Sequence, residues 1–361
     1  MGEITGAYGW DLKLCSIEKI EAGHIHHSYR LRITFDTPKS KRSESFFLQK
    51  INTAIFEHPD AVMSNIQKVC SKIKSISDPK FSSLTIVPDR NGSLYFNSSR
   101  GESYRVFNFL EGYRSISQQA STNIIKQVGS TFGKFIAALE NEKTDEYNTT
   151  LPDFHNINFR LSQLEESRKI ARIERLKLVQ QLFEIVSSLQ NDCRIIQQLI
   201  DQRLLPIRIC HNDTKGSNIM YNMSQQSYCV VDLDTVMPSS LLFDFGDAIR
   251  SIISESAEDE IRRSNESLQW NLVSAFSDGF ISAIKHLLTD VERNNLANSC
   301  ILLPYIMGVR FLTDYLNEDV YFSISYEQQN LNRARNQLEL ARQISDELAT
   351  LESIIEKALT N

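Results

Sequence analysis

The stretch that decides the fold prediction is His211-Asn212-Asp213-Thr214-Lys215-Gly216-Ser217-Asn218. It has the pattern H-x-D-x-x-x-x-N, so an aspartate and an asparagine lie five residues apart on one polar loop. In this pattern the aspartate accepts a proton from a hydroxyl group, and the asparagine holds a magnesium ion. Because only three positions are fixed, the pattern is a weak signal by itself, and its interpretation depends on the sequence around it.

A second carboxylate follows at a separation typical of kinases. The apolar, β-prone run from Tyr228 to Val231 ends in Asp232, nineteen residues after Asp213. Asp244-Phe245-Gly246 spells the kinase D-F-G motif, but it begins thirty-one residues after Asp213. We therefore predict that Asp232 holds the metal, and that Asp244 and Asp247 serve the structure or the substrate side.

The spacing of these groups indicates phosphoryl transfer from ATP. Such a transfer needs little covalent chemistry from the protein, so catalysis consists of positioning and charge neutralisation. One carboxylate must face the attacking oxygen, which is the predicted role of Asp213. Asp232 and Asn218 would hold Mg²⁺, which prefers oxygen ligands. The alternative is purely structural: His211 and Asp213 cap a turn, and Asp232 is a surface acid.

The first 110 residues read mostly as strands. Ser28 to Phe35 alternates polar and apolar residues, as a half-buried strand does, and Phe46 to Ile51 can pair with it as a hairpin. Asn91-Gly92 between two apolar runs predicts a second hairpin, because both residues tolerate a positive φ. Tyr104 to Leu110 is a further strand. Pro59 to Ile76 is predicted as a helix, since proline is favoured at a helix start.

Helical spacing of apolar residues dominates the remainder of the chain. It is visible from Ser117 to Glu142, after a loop with Pro152 up to Leu205, and again from about Ala257 to the C-terminus. The exception is Arg208 to Asp234, where short β-like pieces surround polar loops. At 361 residues two lobes are expected. We predict an α+β fold, with an N-terminal antiparallel sheet and one helix in residues 1–112 and a mostly helical part in residues 113–361.

Composition and charge exclude several classes of protein. The chain has 41% hydrophobic and 23% charged residues, which is typical of a globular protein. Its net charge of −6 argues against a nucleic-acid binder, which would show a basic face. The longest basic run, Lys39-Ser40-Lys41-Arg42, is predicted as a solvated loop.

Membrane proteins and zinc-binding proteins are also disfavoured. No segment approaches the roughly 20 apolar residues of a membrane span, and the N-terminus lacks the basic and apolar regions of a secretory signal. We therefore expect a cytoplasmic protein. The six cysteines are spread without a CxxC pair, so reduced thiols are expected rather than a zinc site.

These motifs resemble those of a known group of enzymes. His211 to Asn218, with Asp232-Leu233-Asp234 and Phe243 to Asp247, is similar to the aminoglycoside phosphotransferase and choline kinase superfamily. The segments H-N-D-T-K, V-D-L-D-T-V-M-P and L-L-F-D-F-G-D-A-I-R resemble more closely the signature of the N-acetylhexosamine 1-kinase family. So do Phe47 to Asn52 and Gly308 to Leu316.

The resemblance implies a two-lobed, protein-kinase-like fold. It implies a reaction in which ATP phosphorylates the anomeric hydroxyl of N-acetylglucosamine or N-acetylgalactosamine. Asp213 would be the base, and Asn218 and Asp232 would hold magnesium. In that family an arginine and a tyrosine from the late helical region contact the sugar, and the matching residues are Arg310 and Tyr321.

The nucleotide is expected to bind to the N-terminal part. Lys50 is the candidate for the strand lysine that grips the ATP phosphates, with a surface lysine as the alternative. Asn65 stands where the helix glutamate that pairs with this lysine would be expected. The glycine-rich loop is reduced to Gly23, although its backbone can still donate to phosphate. Phe109 and Glu111 lie in the predicted hinge that binds adenine.

The substrate is the least determined part of the prediction. Further substrate contacts are predicted for His24, His27 and Asp247. Two alternatives stay open: another small-molecule kinase, acting on a different sugar, choline, homoserine or an aminoglycoside, or a silent nucleotide-binding protein. These kinases share the ATP machinery and differ in the substrate pocket. The expected partners are ATP and a free amino sugar, with neither nucleic acid nor membrane.

Overall fold

Strands dominate the first 115 residues and helices most of the rest, which confirms the predicted α+β class. The computed structural model describes residues 1–20, 25–37, 40–116, 120–254, 260 and 266–361. Its strands are β1 (Cys15–Ile20), β2 (His27–Thr37), β3 (Ser40–Lys50), β4 (Phe81–Ser82), β5 (Phe96–Asn97), β6 (Ser103–Asn108), β7 (Tyr113–Ser115), β8 (Arg208–Cys210), β9 (Ile219–Asn222), β10 (Ser227–Val230) and β11 (Met237–Ser239). Its α-helices are α1 (Gly2–Tyr8), α2 (Pro59–Lys74), α3 (Thr122–Ala138), α4 (Ile157–Ile170), α5 (Ile173–Leu178), α6 (Gln180–Cys193), α7 (Ile195–Asp201), α8 (Leu241–Ile252), α9 (Trp270–Ile284), α10 (Asp290–Leu316), α11 (Gln329–Asp346) and α12 (Leu348–Thr360).

The chain divides into two compact units. The first unit comprises residues 1–115, 145–151 and 220–237, and the second comprises residues 116–144, 152–219 and 238–361. Each unit is built from three stretches, because the chain returns twice to the strand-rich unit. The domain boundary at residue 112, and the assignment of nucleotide binding and catalysis to its two sides, stay predictions.

An antiparallel sheet in the order β1-β2-β3-β6-β5 forms the centre of the first unit. Strands β2 and β3 pair along their whole length, from His27 opposite Lys50 to Thr37 opposite Ser40. Alternate side chains of each strand face one side of the sheet, and α1 packs against that side. The buried apolar residues there are Ile4, Tyr8, Leu31, Ile33, Phe46, Leu48 and Val106.

The basic run was wrongly predicted as a loop. Because Thr37 pairs with Ser40, the residues from Ser40 to Arg42 already belong to β3. Lys39 lies outside the described residues. The side chains of Lys41 and Arg42 are exposed, so these charges are solvated on a strand rather than on a loop.

The predicted hairpin at Asn91-Gly92 is only partly correct. A turn does form there, with φ of 81° at Gly92. The Asp89 carboxylate accepts the backbone N–H groups of Asn91 and Ser93, both at 2.8 Å. The apolar runs on either side, 84–87 and 94–96, pair with β6 instead, through the bridge from Ile86 to Phe107 and the pairing of Phe96 with Tyr104.

Helix α2 begins at Pro59, as predicted. Within its buried face lies Asn65, which is 1% exposed. The Asn65 Nδ2 donates to the carbonyl oxygens of Asn148 (2.8 Å) and Val236 (2.9 Å), and its Oδ1 accepts the Asn148 N–H (3.0 Å). Asn65 therefore ties the helix to both stretches of chain that return to the first unit.

Helices α3 and α9 pack at very short range in the second unit. A Cβ added to Gly279 would lie 2.0 Å from the Lys126 carbonyl oxygen, and one added to Gly129 would lie 2.3 Å from that of Phe276. Close-packed interiors have no room for such atoms. The absence of side chains at these positions therefore permits the close approach of the two helices.

Helix α10 is long and apolar. Among the described residues it is the helix that is long and apolar enough to cross a membrane, and most of its apolar stretch is buried inside the protein. By length and composition it is thus an exception to the prediction that no segment approaches a membrane span. Thr289 and Glu292 form a capping box at its start, and Glu292 also pairs with Arg208 of β8 at 2.9 Å. Packing in the helical core accounts for its composition.

We expect Gly279→Ala to lower the free energy of unfolding by about 1–3 kcal/mol, the usual cost of overpacking. Gly6→Ala in α1 is the matched control, because a Cβ there meets nothing within 4 Å and alanine is the better helix former. Urea unfolding of both variants measures the difference. Equal stabilities of the two variants would contradict the close packing of α3 and α9.

Candidate active site

The predicted catalytic loop joins β8 to β9, and a buried carboxylate holds it. Asp244 lies in the first turn of α8. Its carboxylate accepts the backbone N–H groups of His211 (2.9 Å) and Asn212 (2.6 Å), and the Thr214 hydroxyl donates to its carbonyl oxygen. Burial raises the pKa of Asp244 to about 6, although these N–H groups favour its charged form. The aspartate of the D-F-G sequence thus fixes the backbone of the loop.

A buried histidine supports the same loop from the other side. The His155 Nε2 donates to the carbonyl oxygen of Asn212 at 3.1 Å, and Asn212 adopts a φ of 64°. Burial lowers the pKa of His155 to about 3, so the ring is neutral at pH 7. Since Nε2 is the donor, Nδ1 is an acceptor, and it is buried without a hydrogen-bond partner in the described part of the chain.

Asp213 has one carboxylate oxygen held and one open. Its Oδ2 lies 3.0 Å from the Lys215 ammonium and accepts the Asn218 Nδ2 at 2.9 Å. No hydrogen bond within the described residues reaches its Oδ1, and 24% of the side chain is exposed. Burial opposes the charged form, but Lys215, His211 and Asn218 outweigh it and hold the pKa of Asp213 below its usual range.

The two predicted metal ligands lie in different units. Asn218, in the second unit, donates both hydrogen bonds of its amide nitrogen to Asp213, and its Oδ1 accepts none within the described residues. Asp232, in the first unit, has a left-handed backbone with φ of 61° and an exposed side chain. Among the described residues no group of three or more His, Cys, Asp or Glu side chains could hold a metal. An amide oxygen and a carboxylate do fit magnesium by donor chemistry.

Asp234, two residues after Asp232, lies in a buried ion pair that the sequence reasoning missed. Both of its carboxylate oxygens accept from the Arg105 guanidinium, at 2.6 and 2.7 Å. Arg105 also donates to the Gln49 Oε1, and the His26 Nε2 lies 3.5 Å from Asp234. Burial opposes the charge of Asp234, but Arg105 and His26 hold its pKa far below the usual range. An arginine within an apolar strand was the available signal for a buried acidic partner.

Lys50, the predicted nucleotide lysine, finds its carboxylate partner on the sheet. Its Nζ lies 2.6 Å from the Glu102 Oε1, and the Tyr104 hydroxyl donates to the other oxygen at 2.7 Å. The helix position expected to supply this partner holds Asn65, which is bonded as described above. His27 faces Lys50 across β2 and β3 and is exposed.

The predicted adenine hinge follows β6. Glu111 is exposed and pairs with Arg30 at 2.7 Å, while the Arg30 guanidinium lies 4.3 Å from the centre of the Phe109 ring. Gly112 ends the segment with φ of 77°. Gly23 and His24, which were predicted to contact phosphate and substrate, lie outside the described residues.

Three predicted substrate residues lie in the second unit. The Arg310 guanidinium lies 5.9 Å from the ring centre of Tyr321 and 5.1 Å from that of Phe154. Arg310 and Tyr321 are thus close to each other, and their contact with a sugar stays a prediction. Asp314 fixes the backbone of Tyr321 by accepting its N–H at 2.8 Å. Asp247 is buried on α8, 2.9 Å from the Nε of Arg250.

Comparisons with known proteins agree with the fold and the motifs. The model of the phosphotransferase enzyme family matches residues 89–269, which include both predicted carboxylates and the loop. A microcompartment-associated aminopropanol kinase has a similar structure, with TM-score 0.65, 11% identity and 97% of each chain covered. A choline kinase from Cryptosporidium parvum gives TM-score 0.60 and 12% identity over 100% of this chain and 98% of that one.

A third solved structure adds a bound nucleotide to the comparison. Spectinomycin phosphotransferase in complex with ADP and spectinomycin gives TM-score 0.59 and 12% identity, over 95% of this chain and 97% of that one. At these identities the likeness concerns the fold alone. It confirms the kinase-like α+β architecture that the motifs predicted.

We expect Arg105→Met to lower the free energy of unfolding by about 3–5 kcal/mol, because Asp234 would stay buried without its cation. Replacing both partners, as Arg105→Met with Asp234→Leu, should recover most of that loss. Arg342→Met, which breaks an ion pair whose arginine is 41% exposed, should cost less than about 1 kcal/mol. Chemical denaturation of the wild type, these three variants and the single variant Asp234→Leu gives the coupling energy of the pair. A double variant no more stable than Arg105→Met would contradict a pair whose members depend on each other.

The pKa of Asp244 predicts a pH dependence of stability. Its folded pKa of about 6 lies above the ordinary value of 3.8, so between these values the folded state binds the proton more tightly. The stability of the wild type relative to Asp244→Asn should therefore fall by about 2 kcal/mol from pH 4 to pH 7 and then level off. Thermal and urea unfolding across this range measure it, with the exposed Asp192→Asn as control. A difference that rises with pH would contradict the assigned direction.

Proposed function

The chain belongs to the phosphotransferase enzyme family and is a small-molecule kinase, and we propose that it phosphorylates the anomeric hydroxyl of a free N-acetylhexosamine with ATP. The observation that carries the proposal is the arrangement of the two carboxylate oxygens of Asp213. One of its oxygens is held by Lys215 and Asn218, which leaves the other for the substrate. Such a fixed carboxylate is suited to act as a general base.

The reaction follows from this arrangement. The substrate hydroxyl gives its proton to Asp213 Oδ1, and its oxygen forms a bond to the γ-phosphorus of ATP. The bond from that phosphorus to the bridging oxygen breaks, and ADP leaves. Lys215 and Asn218 keep the carboxylate oriented and charged, so positioning supplies much of the rate.

Magnesium is the cofactor we propose, with Asn218 and Asp232 as its ligands. Bound there, it would neutralise the charge of the transferring phosphoryl group. Asn218 is suited to this because its bonds to Asp213 use the amide nitrogen and leave the oxygen available. Asp232 is supported by its exposure beside the buried Asp234, which fixes the backbone two residues away.

The nucleotide contacts are also a proposal. Lys50 and Gly23 would bind the phosphates, and Phe109 with Glu111 would flank adenine. Glu102 would take the orienting role that a helix glutamate has in protein kinases, because it lies 2.6 Å from the Lys50 ammonium. The residues of the structure that support this, Lys50, Glu102, Phe109 and Glu111, all belong to the first unit.

The sugar would be bound by Arg310, Tyr321, His27, His24 and Asp247. The positive charges of Arg160 and Arg310 favour a neutral substrate over an amine. Burial, together with the charge of Arg310, lowers the pKa of Arg160 to about 10, so two guanidinium groups lie near the proposed sugar residues. A cationic substrate would add a further positive charge to this region.

Two other functions are distinguished by experiment. The solved structures of similar fold include a choline kinase, an aminopropanol kinase and a spectinomycin phosphotransferase, so a kinase that acts on another alcohol is the first alternative. A protein that binds nucleotide without turnover is the second.

The location we propose is the cytoplasm. All six cysteines are free thiols, which supports a reducing, cytoplasmic location.

The proposal is tested by ADP release with ATP and Mg²⁺ against free sugars, choline, homoserine and an aminoglycoside, with NMR of the product. We expect turnover of an N-acetylhexosamine to a sugar 1-phosphate. Asp213→Asn should lower kcat by about 10²–10⁴ and leave nucleotide binding intact, whereas Asp192→Asn on the exposed face of α6 should change neither. Turnover of another panel member alone would reject the sugar, and full activity of Asp213→Asn would reject the base.

A further inference from the structure

Asp247 is a buried carboxylate that is only half satisfied. It is 4% exposed, and its Oδ1 accepts the Nε of Arg250 at 2.9 Å. Its Oδ2 is buried and has no hydrogen-bond partner among the described residues. Buried polar atoms nearly always have a partner, and an exception calls for an explanation. The unused acceptor therefore points to a donor that comes from outside the chain.

The position of Asp247 on α8 places it beside the catalytic loop. One turn earlier, Asp244 accepts the N–H groups of His211 and Asn212. One turn later, the Ser251 hydroxyl lies 3.4 Å from the backbone nitrogen of Gly216. Residues at spacings of three and four share one helix face, so Asp247 lies between two contacts of this face with the loop. The charges of Asp213 and Lys215 both act on Asp247, in agreement with that position.

The charge around Asp247 decides what kind of donor it can take. Arg250 neutralises Asp247, and its Nη1 also lies 3.3 Å from the Gln337 Oε1. Lys215 neutralises Asp213. Because Asp213 and Asp247 each already have a cation beside them, an ammonium group would gain less from either carboxylate than from an unpaired one. A neutral hydroxyl needs only the open oxygen.

We infer that Asp247 determines specificity, and that its Oδ2 accepts a hydrogen bond from a second hydroxyl of the sugar, other than the hydroxyl that Asp213 deprotonates. The inference rests on the proposed function and adds to it a particular atom and a particular substrate group. Two hydroxyls of one sugar held by two carboxylates fix its orientation. An alcohol with one hydroxyl would leave the buried oxygen unpaired, which a site of this kind penalises strongly.

The test compares the parent N-acetylhexosamine with analogues that lack one hydroxyl each, for the wild type and for Asp247→Asn. The wild type should lose about 10²-fold or more in kcat/KM with one analogue. Asp247→Asn, which puts an amide in place of the carboxylate, should lose a similar factor with the parent sugar. It should no longer distinguish that analogue from the parent, while the KM for ATP stays unchanged.

Asp247→Glu covers the case in which the amide variant does not fold. It keeps the charge but moves the oxygen by one methylene, so the same loss of discrimination is expected. Unchanged discrimination in the folded variants would show that Asp247 serves only its ion pair with Arg250, and would overturn this inference alone. Absence of turnover with any sugar by the wild type would instead overturn the proposed function, and this inference with it.

Discussion

The hydrogen bonds from the backbone of His211 and Asn212 to Asp244 are the constraint on which the catalytic loop depends. A buried carboxylate is costly unless its oxygens accept hydrogen bonds, so the loop and the helix stabilise each other. Asp244 lies in the first turn of α8, where the helix dipole also favours a negative charge. Because Ser251 of α8 also contacts the loop, the proposed base Asp213 and the proposed substrate residue Asp247 are both positioned by this one helix.

In the first unit a cation, rather than backbone N–H groups, stabilises a buried carboxylate. Asp234 is buried like Asp244, but its two oxygens accept from one guanidinium, that of Arg105. Arg105 comes from β6 and also bonds to Gln49, the neighbour of Lys50 on β3. A bidentate pair of this kind fixes orientation as well as position. The segment that carries Asp232 is thereby tied to the strand that carries Lys50, which suits two residues proposed to act on the same phosphates.

The sequence predicted what local patterns determine and missed what depends on distant partners. Alternation found β2, and Pro59 marked the start of α2, because these signals lie within a few residues. Asn91-Gly92 predicted its turn but not the pairing of its flanks, since β6 lies further along the chain and offers both of them a partner. The spacing from Asp213 predicted Asp232, rather than the D-F-G aspartate, as the metal ligand. Nothing in the sequence near Arg105 identifies Asp234, 129 residues away, as its partner.

Asp213, Asp247 and His155 share one arrangement, in which a buried or half-buried group has one atom held and one acceptor left. Lys215 and Asn218 hold Asp213, Arg250 holds Asp247, and the Asn212 carbonyl holds His155. In each case the holding contact also satisfies the charge or fixes the tautomer. What remains is a set of oriented acceptors with little net charge. Such a set is suited to O–H donors and gives no advantage to a cation, because the attraction of a carboxylate for a cation is already used within the chain. This arrangement supports the proposal of a neutral, polyhydroxylated substrate.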